Sequence, residues 1–182
     1  VEYAVKRADE TGMTVFLYDE AAYPSGSCCG AVVADNPEYA ARGLFMRENG
    51  ETGDGERVIH TEKIGDRRFF FIEGYTYGTI RGVFPEQDDG QSRAPRASDL
   101  LNPRAVDSFI RHTHDKYYKR LGAYFGGTVK AIFTDEPSMT GRCSRTCRPW
   151  TGNFLGEFTA AGLRTRDLYY LFAETDSERG KY

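Results

Sequence analysis

The chain has no surplus of positive charge: 24 Lys and Arg stand against 27 Asp and Glu, a formal net charge of −3 over 182 residues. Nucleic-acid binders carry a basic excess or a basic stripe, so nucleic acid is not an expected partner. Nor is there an apolar run near the ~20 residues of a membrane-spanning helix, and no stretch reads as a secretory leader. A membrane partner is therefore not expected, and a cytoplasmic setting is favoured. Cysteine is scarce, with four residues. Cys28 and Cys29 are adjacent and poorly placed to bond each other. Cys143 and Cys147 are spaced more widely than a zinc knuckle and have no His beside them. Free thiols in a reducing compartment are expected. Histidine is scarcer, with three residues. None stands at the end of an apolar strand, which argues against a His-ligated metallohydrolase.

Aromatic residues are plentiful: 12 Phe and 12 Tyr accompany the one Trp. Disordered chains lack such residues, so a packed core is expected. The length suits one domain. The chain opens at Val1 within a helical pattern and reads as a piece of a longer polypeptide, whose remainder would be its partner.

Residues 1–13 carry Val1, Ala4, Val5 and Ala8 at helical spacing, with Gly12 placed to end the helix. Met13–Tyr18 is a short, nearly continuous apolar run of the kind that forms buried parallel strands. It ends in Asp19-Glu20 and a loop through Tyr23-Pro24-Ser25-Gly26. Asn36-Pro37 predicts a second helix with Tyr39, Ala40, Gly43 and Leu44 on its buried face. Over 47–97 the texture changes. Arg57–Ile64 and Arg68–Ile72 flank the turn signal Gly65-Asp66, Tyr75–Phe84 offers a third strand, and 85–96 is polar and irregular, so this region reads as a small β-rich insertion. Helical spacing returns from Val106 to Tyr124. Thr128–Thr134 is a second apolar strand, again ending in an acidic pair, Asp135-Glu136, before Pro137. Further helices are expected at 153–161 and 165–173. Strands alternating with helices predict a parallel α/β arrangement.

The acidic pairs carry the chemistry. In parallel α/β folds, sites gather at the carboxyl ends of strands, where a carboxylate can donate a proton, attack, or accept sugar hydroxyls. A competing structural role exists, because Asp and Glu also cap helices. Two pairs ending two apolar strands favour function. Tyr23 and Trp150 are candidate platforms for a sugar ring, and the loop after Pro137 is rich in Ser, Thr and Arg. Glu136 is expected to be the proton donor, with Pro137 biasing its backbone toward an extended conformation.

Leu17-Tyr18-Asp19-Glu20 with Tyr23-Pro24-Ser25-Gly26, then Asp99-Leu100-Leu101-Asn102-Pro103, Thr113-His114-Asp115-Lys116-Tyr117-Tyr118 and Ile132-Phe133-Thr134-Asp135-Glu136-Pro137-Ser138 together resemble bacterial glycoside hydrolases related to the α-L-rhamnosidases of glycoside hydrolase family 106. The resemblance covers most of the chain and is weakest over 47–97. It implies residues 1–182 of a (β/α)8 TIM barrel interrupted by the β-rich insertion, a carbohydrate substrate, and cleavage of a glycosidic bond by paired carboxylates. Glu136 would be catalytic, and Glu20 or Asp19 would lie at the sugar subsite; beside the resemblance, the reading of the residues adds Tyr23, Asp135 and Trp150 as candidates for binding substrate. No cofactor is required, although relatives of this kind can use a calcium ion at the sugar. Cys28 and Cys29 depart from the pattern, which would place small residues there. A whole barrel takes roughly 250 residues and glycoside hydrolysis takes two carboxylates, so the site is expected to be incomplete in this stretch. The alternative is a non-catalytic carbohydrate-binding or structural fragment.

Overall fold

Helix α1 (Glu2–Glu10) forms where Val5 and Ala8 share a buried face, and Gly12, at φ +72°, turns the chain out of it. The structure, a computed structural model, describes residues 1–173. Strand β1 (Val15–Tyr18) is followed by a 3-10 turn at Cys28–Gly30 and the short helix α2 (Ala31–Asp35). Then come β2 (Arg42–Arg47), β3 (Arg57–Ile64) and β4 (Arg67–Tyr75). Helices α3 (Pro103–His112) and α4 (His114–Leu121) lead to β5 (Val129–Phe133), β6 (Arg148–Trp150), α5 (Phe154–Ala160) and a 3-10 segment at Thr165–Leu171.

Strands β1 and β5 pair in parallel, Tyr18 opposite Phe133. One face of this ribbon packs Leu17 against Val5, Leu121 and Val129. The other four strands form a separate antiparallel sheet in the order β3-β4-β2-β6. The chain is thus a small mixed α/β domain, and the expected (β/α)8 barrel does not form: among the described residues no barrel closes and only two strands run parallel. The alternation that suggested a barrel depended on a helix after Asn36-Pro37. There the Asn36 side chain does accept from the Glu38 N–H at 3.0 Å, but it caps a single 3-10 turn, Pro37–Tyr39. The next residues become β2, because pairing with β4 on one side and β6 on the other outweighs the local helix-start signal. The antiparallel sheet therefore draws a strand from before residue 47 and another from after 97, so it is not a self-contained insertion. The expected helix to Tyr124 is likewise broken at Thr113, whose hydroxyl donates to the Phe109 carbonyl at 2.7 Å. Tyr75–Phe84 beyond β4 forms isolated bridges rather than a third strand, and 165–171 is 3-10 rather than α-helical.

Trp150 anchors the core of the antiparallel sheet with Leu44, Phe69, Phe71, Phe158 and Leu168. An ion cluster joins the end of β2 and the start of β3 to the segment before β6. The Glu56 carboxylate accepts two bonds from Arg47 at 2.7 and 2.8 Å, one from Arg145 at 2.6 Å and one from the Gly53 N–H at 2.8 Å. The Arg47 bonds, helped by Gly53 and Arg145, hold this carboxyl down at about 2 against burial that opposes them. A depressed carboxylate contributes stability above its unfolded value of 4.5, and that contribution disappears as pH falls through about 2. Glu56→Gln is accordingly expected to cost about 2–4 kcal/mol at pH 7 and to flatten the loss of stability between pH 4.5 and 2. Urea unfolding at pH 7, 4 and 2.5 measures both effects, and equal losses at all three pH values would show that the charge is not the cause.

Among the described residues no helix is long and apolar enough to cross a membrane.

Candidate functional site

Parallel pairing places the two acidic pairs side by side, since β1 and β5 end on the same edge. The Asp19 N–H donates to the Phe133 carbonyl at 3.2 Å, continuing the ladder one step beyond β1. Its carboxylate, 2% exposed, accepts from the Ser25 hydroxyl at 2.7 Å and from the Thr134 hydroxyl at 2.6 Å. Ser25 in turn accepts from the Asp135 N–H and donates its own N–H to the Asp135 carbonyl, each at 2.9 Å. Asp19 therefore joins the two post-strand loops, with one donor on each oxygen.

Glu20 is committed differently. It is 5% exposed, and its carboxylate receives the backbone N–H groups of Ser27, Cys28 and Cys29 at 2.5–3.0 Å. The N–H groups of Ala21 and Ala22 reach it at 3.1 and 3.3 Å. Cys28 and Cys29 sit at φ +47° and +54°, the left-handed region that glycine occupies freely and other residues enter at a cost. The Glu20 charge gathers these donors and holds that conformation. Burial raises both thiols above the usual cysteine value, and the nearby Glu20 charge adds to it.

The other pair is open. Asp135 is half-buried and meets the Tyr18 hydroxyl at 3.4 Å, whereas Glu136 is exposed and stands at φ +37°. The backbone before Pro137 is thus left-handed rather than extended. Burial first, then the Asp135 charge, raises the Tyr18 phenol. The Tyr23 hydroxyl donates to Glu136 Oε2, and this bond is the main reason the Tyr23 phenol lies above its ordinary value. The other Glu136 oxygen accepts nothing among the described residues.

Two arginines flank the Tyr23 ring, with guanidinium carbons 5.0 Å (Arg81) and 5.2 Å (Arg142) from its centroid. Both are fixed through the backbone. Tyr23 and Arg81 exchange N–H···O bonds of 2.9 and 2.8 Å, and Thr79 and Arg142 exchange two of 2.9 Å. Gly78 allows these loops to meet, because a Cβ there would overlap the Thr140 carbonyl. Arg142 also grips Asp89 through two nitrogens, and these bonds lower the Asp89 carboxyl.

No family model, curated protein or solved structure matches this chain.

Of the sequence-derived candidates, the structure brings Asp19, Tyr23, Asp135 and Glu136 to one edge. Glu20 shares the edge but faces its own loop. Trp150 is 1% exposed inside the antiparallel core and so offers no platform to a sugar. A cleft of about 920 Å³ is lined by Tyr18, Asp19 and Glu20 together with His112, Lys116 and Tyr117, and Tyr23 and Glu136 are not part of its lining. Calcium takes roughly six to eight oxygens. The oxygens of Asp19 and Glu20 are occupied by hydroxyl and N–H donors, and no three acidic, His or Cys side chains converge among the described residues. These residues do not by themselves fit that ion, and no step below passes through it. Arg81 and Asp89 escaped the sequence reading. Nothing local marks them, since their place is set by the Tyr23–Arg81 bridge.

Proposed function

We propose that the edge formed by Tyr23, Asp135 and Glu136 cleaves glycosidic bonds, with Glu136 as the nucleophile. The observation that carries this is the Tyr23 hydroxyl donating to an exposed carboxylate held at φ +37° beside the end of a parallel strand. A carboxylate anchored through one oxygen and open at the other suits a nucleophile, a role different from the proton donor expected from the sequence. Strained backbone at an exposed polar residue is also where functional sites cluster. One Glu136 oxygen is anchored by Tyr23, and the other is free to attack the anomeric carbon. As the new carbon–oxygen bond forms, the glycosidic bond breaks and its electron pair leaves with the aglycone; water then hydrolyses the glycosyl ester. Asp135, with Tyr18 beside it, is placed to accept sugar hydroxyls.

An ordinary alcohol leaving group needs protonation by a second carboxylate. A dinitrophenolate does not need it. A panel of dinitrophenyl glycosides, both anomers of several sugars, is therefore the decisive assay. Release of dinitrophenolate above the spontaneous rate is expected for at least one sugar. Binding of the matching methyl glycosides without any release would instead support a purely carbohydrate-binding module. Neither release nor binding across the panel would end the proposal.

A further inference from the structure

We infer that Arg81 makes this site selective for a saccharide carrying a carboxylate, such as a uronic acid; the inference rests on the glycosidase reading of Glu136 and names its substrate class. Arg142 is committed, with two of its nitrogens on Asp89. Arg81 is not. Its only carboxylate within 4 Å is that same Asp89, at 3.8 Å, and its guanidinium donates no hydrogen bond among the described residues. Yet its backbone is bridged in both directions to Tyr23, and the guanidinium lies over the Tyr23 ring. The guanidinium thus rests on the Tyr23 ring, 45% exposed, with its N–H donors open to a ligand.

Arg81 and Glu136 approach the same tyrosine, Arg81 at the face of the Tyr23 ring and Glu136 at its hydroxyl. A pyranose presenting its anomeric carbon to Glu136 would extend its far side toward Arg81. In a uronic acid that far side bears a planar carboxylate, the group a guanidinium binds through two parallel N–H···O bonds. A neutral hexose would offer only a hydroxymethyl group.

The test compares dinitrophenyl galacturonide and glucuronide with the corresponding galactoside and glucoside, using the ratio of kcat/KM as the readout. Methyl uronides and methyl hexosides are compared in parallel by ligand-observed NMR. Wild type is expected to favour a uronide by about ten- to a hundredfold, the scale of a charge-assisted hydrogen-bond pair. Arg81→Met should bring the ratio close to one, while Arg81→Lys, a point charge without the fork, should keep part of it. Turnover of neutral glycosides with no uronide preference overturns the inference and leaves the glycosidase reading standing. So does a preference that survives Arg81→Met. Selective binding of methyl uronides, abolished by Arg81→Met, without turnover of any aryl glycoside upholds the carboxylate site and removes the glycosidase reading.

Discussion

Glu136→Ala is expected to abolish release of dinitrophenolate from the best aryl glycoside, lowering kcat by on the order of 10⁴ or more, with added azide restoring part of it. The magnitude follows from removing a group that forms a bond in the transition state, a loss of about 5 kcal/mol or more. The rescue follows from the space left behind: a small anion can enter, attack the anomeric carbon and leave as the glycosyl azide, which chromatography identifies. Activated substrates separate the possible roles. A proton donor matters little when the leaving group is already stable, so a Glu136 acting only as acid would leave these substrates nearly untouched. Full activity in Glu136→Ala, with the fold intact by circular dichroism, would refute the nucleophile assignment. Glu136 makes one side-chain hydrogen bond, to the partly exposed Tyr23, so its removal leaves no buried partner stranded and the variant should fold.

The two parallel strands were legible because each is a short apolar run with an abrupt acidic end, but their expected burial does not hold, since Phe16 is 69% and Phe133 56% exposed. Strand β2 was not legible. Asn36-Pro37 is a sound helix-start signal, and it does start a turn, but Arg42–Arg47 is decided by partners at Gly74 and Pro149 that no local window contains. The same limit explains Trp150. A lone Trp in a polar loop sequence resembles a binding aromatic until β6 pairs with β2 and carries it into the core. Within the site, sequence could mark the acidic pairs but not rank their members. Asp19-Glu20 and Asp135-Glu136 read alike, and only the return path of each following loop separates them. The loop after Glu20 brings back five N–H groups; the loop after Glu136 leads through Arg142, whose guanidinium lies over the tyrosine that donates to Glu136.

That contrast yields the largest expected change in stability. Glu20→Ala removes the acceptor for the Ser27, Cys28 and Cys29 N–H groups, in a segment where Ser27 is buried and both cysteines stand at positive φ. Two or three orphaned donors at about 1–3 kcal/mol each predict a loss of about 3–5 kcal/mol, after the loop relaxes toward water. Glu20→Gln should rescue little. An amide offers one acceptor oxygen, and its NH₂ group would point at backbone donors already converging there. Replacing Cys28 and Cys29 with Gly in the Glu20→Ala background should recover part of the loss, since glycine holds the left-handed backbone without the carboxylate's help. Denaturant unfolding of the single and triple variants measures all three expectations. If Glu20→Ala were as stable as wild type while dinitrophenyl glycoside turnover collapsed, Glu20 would belong to the reacting groups and not to the scaffold. Loss of stability with the loop opened by hydrogen exchange at residues 27–29 is the outcome that keeps it a scaffold residue, holding the Tyr23 loop where Glu136 can use it.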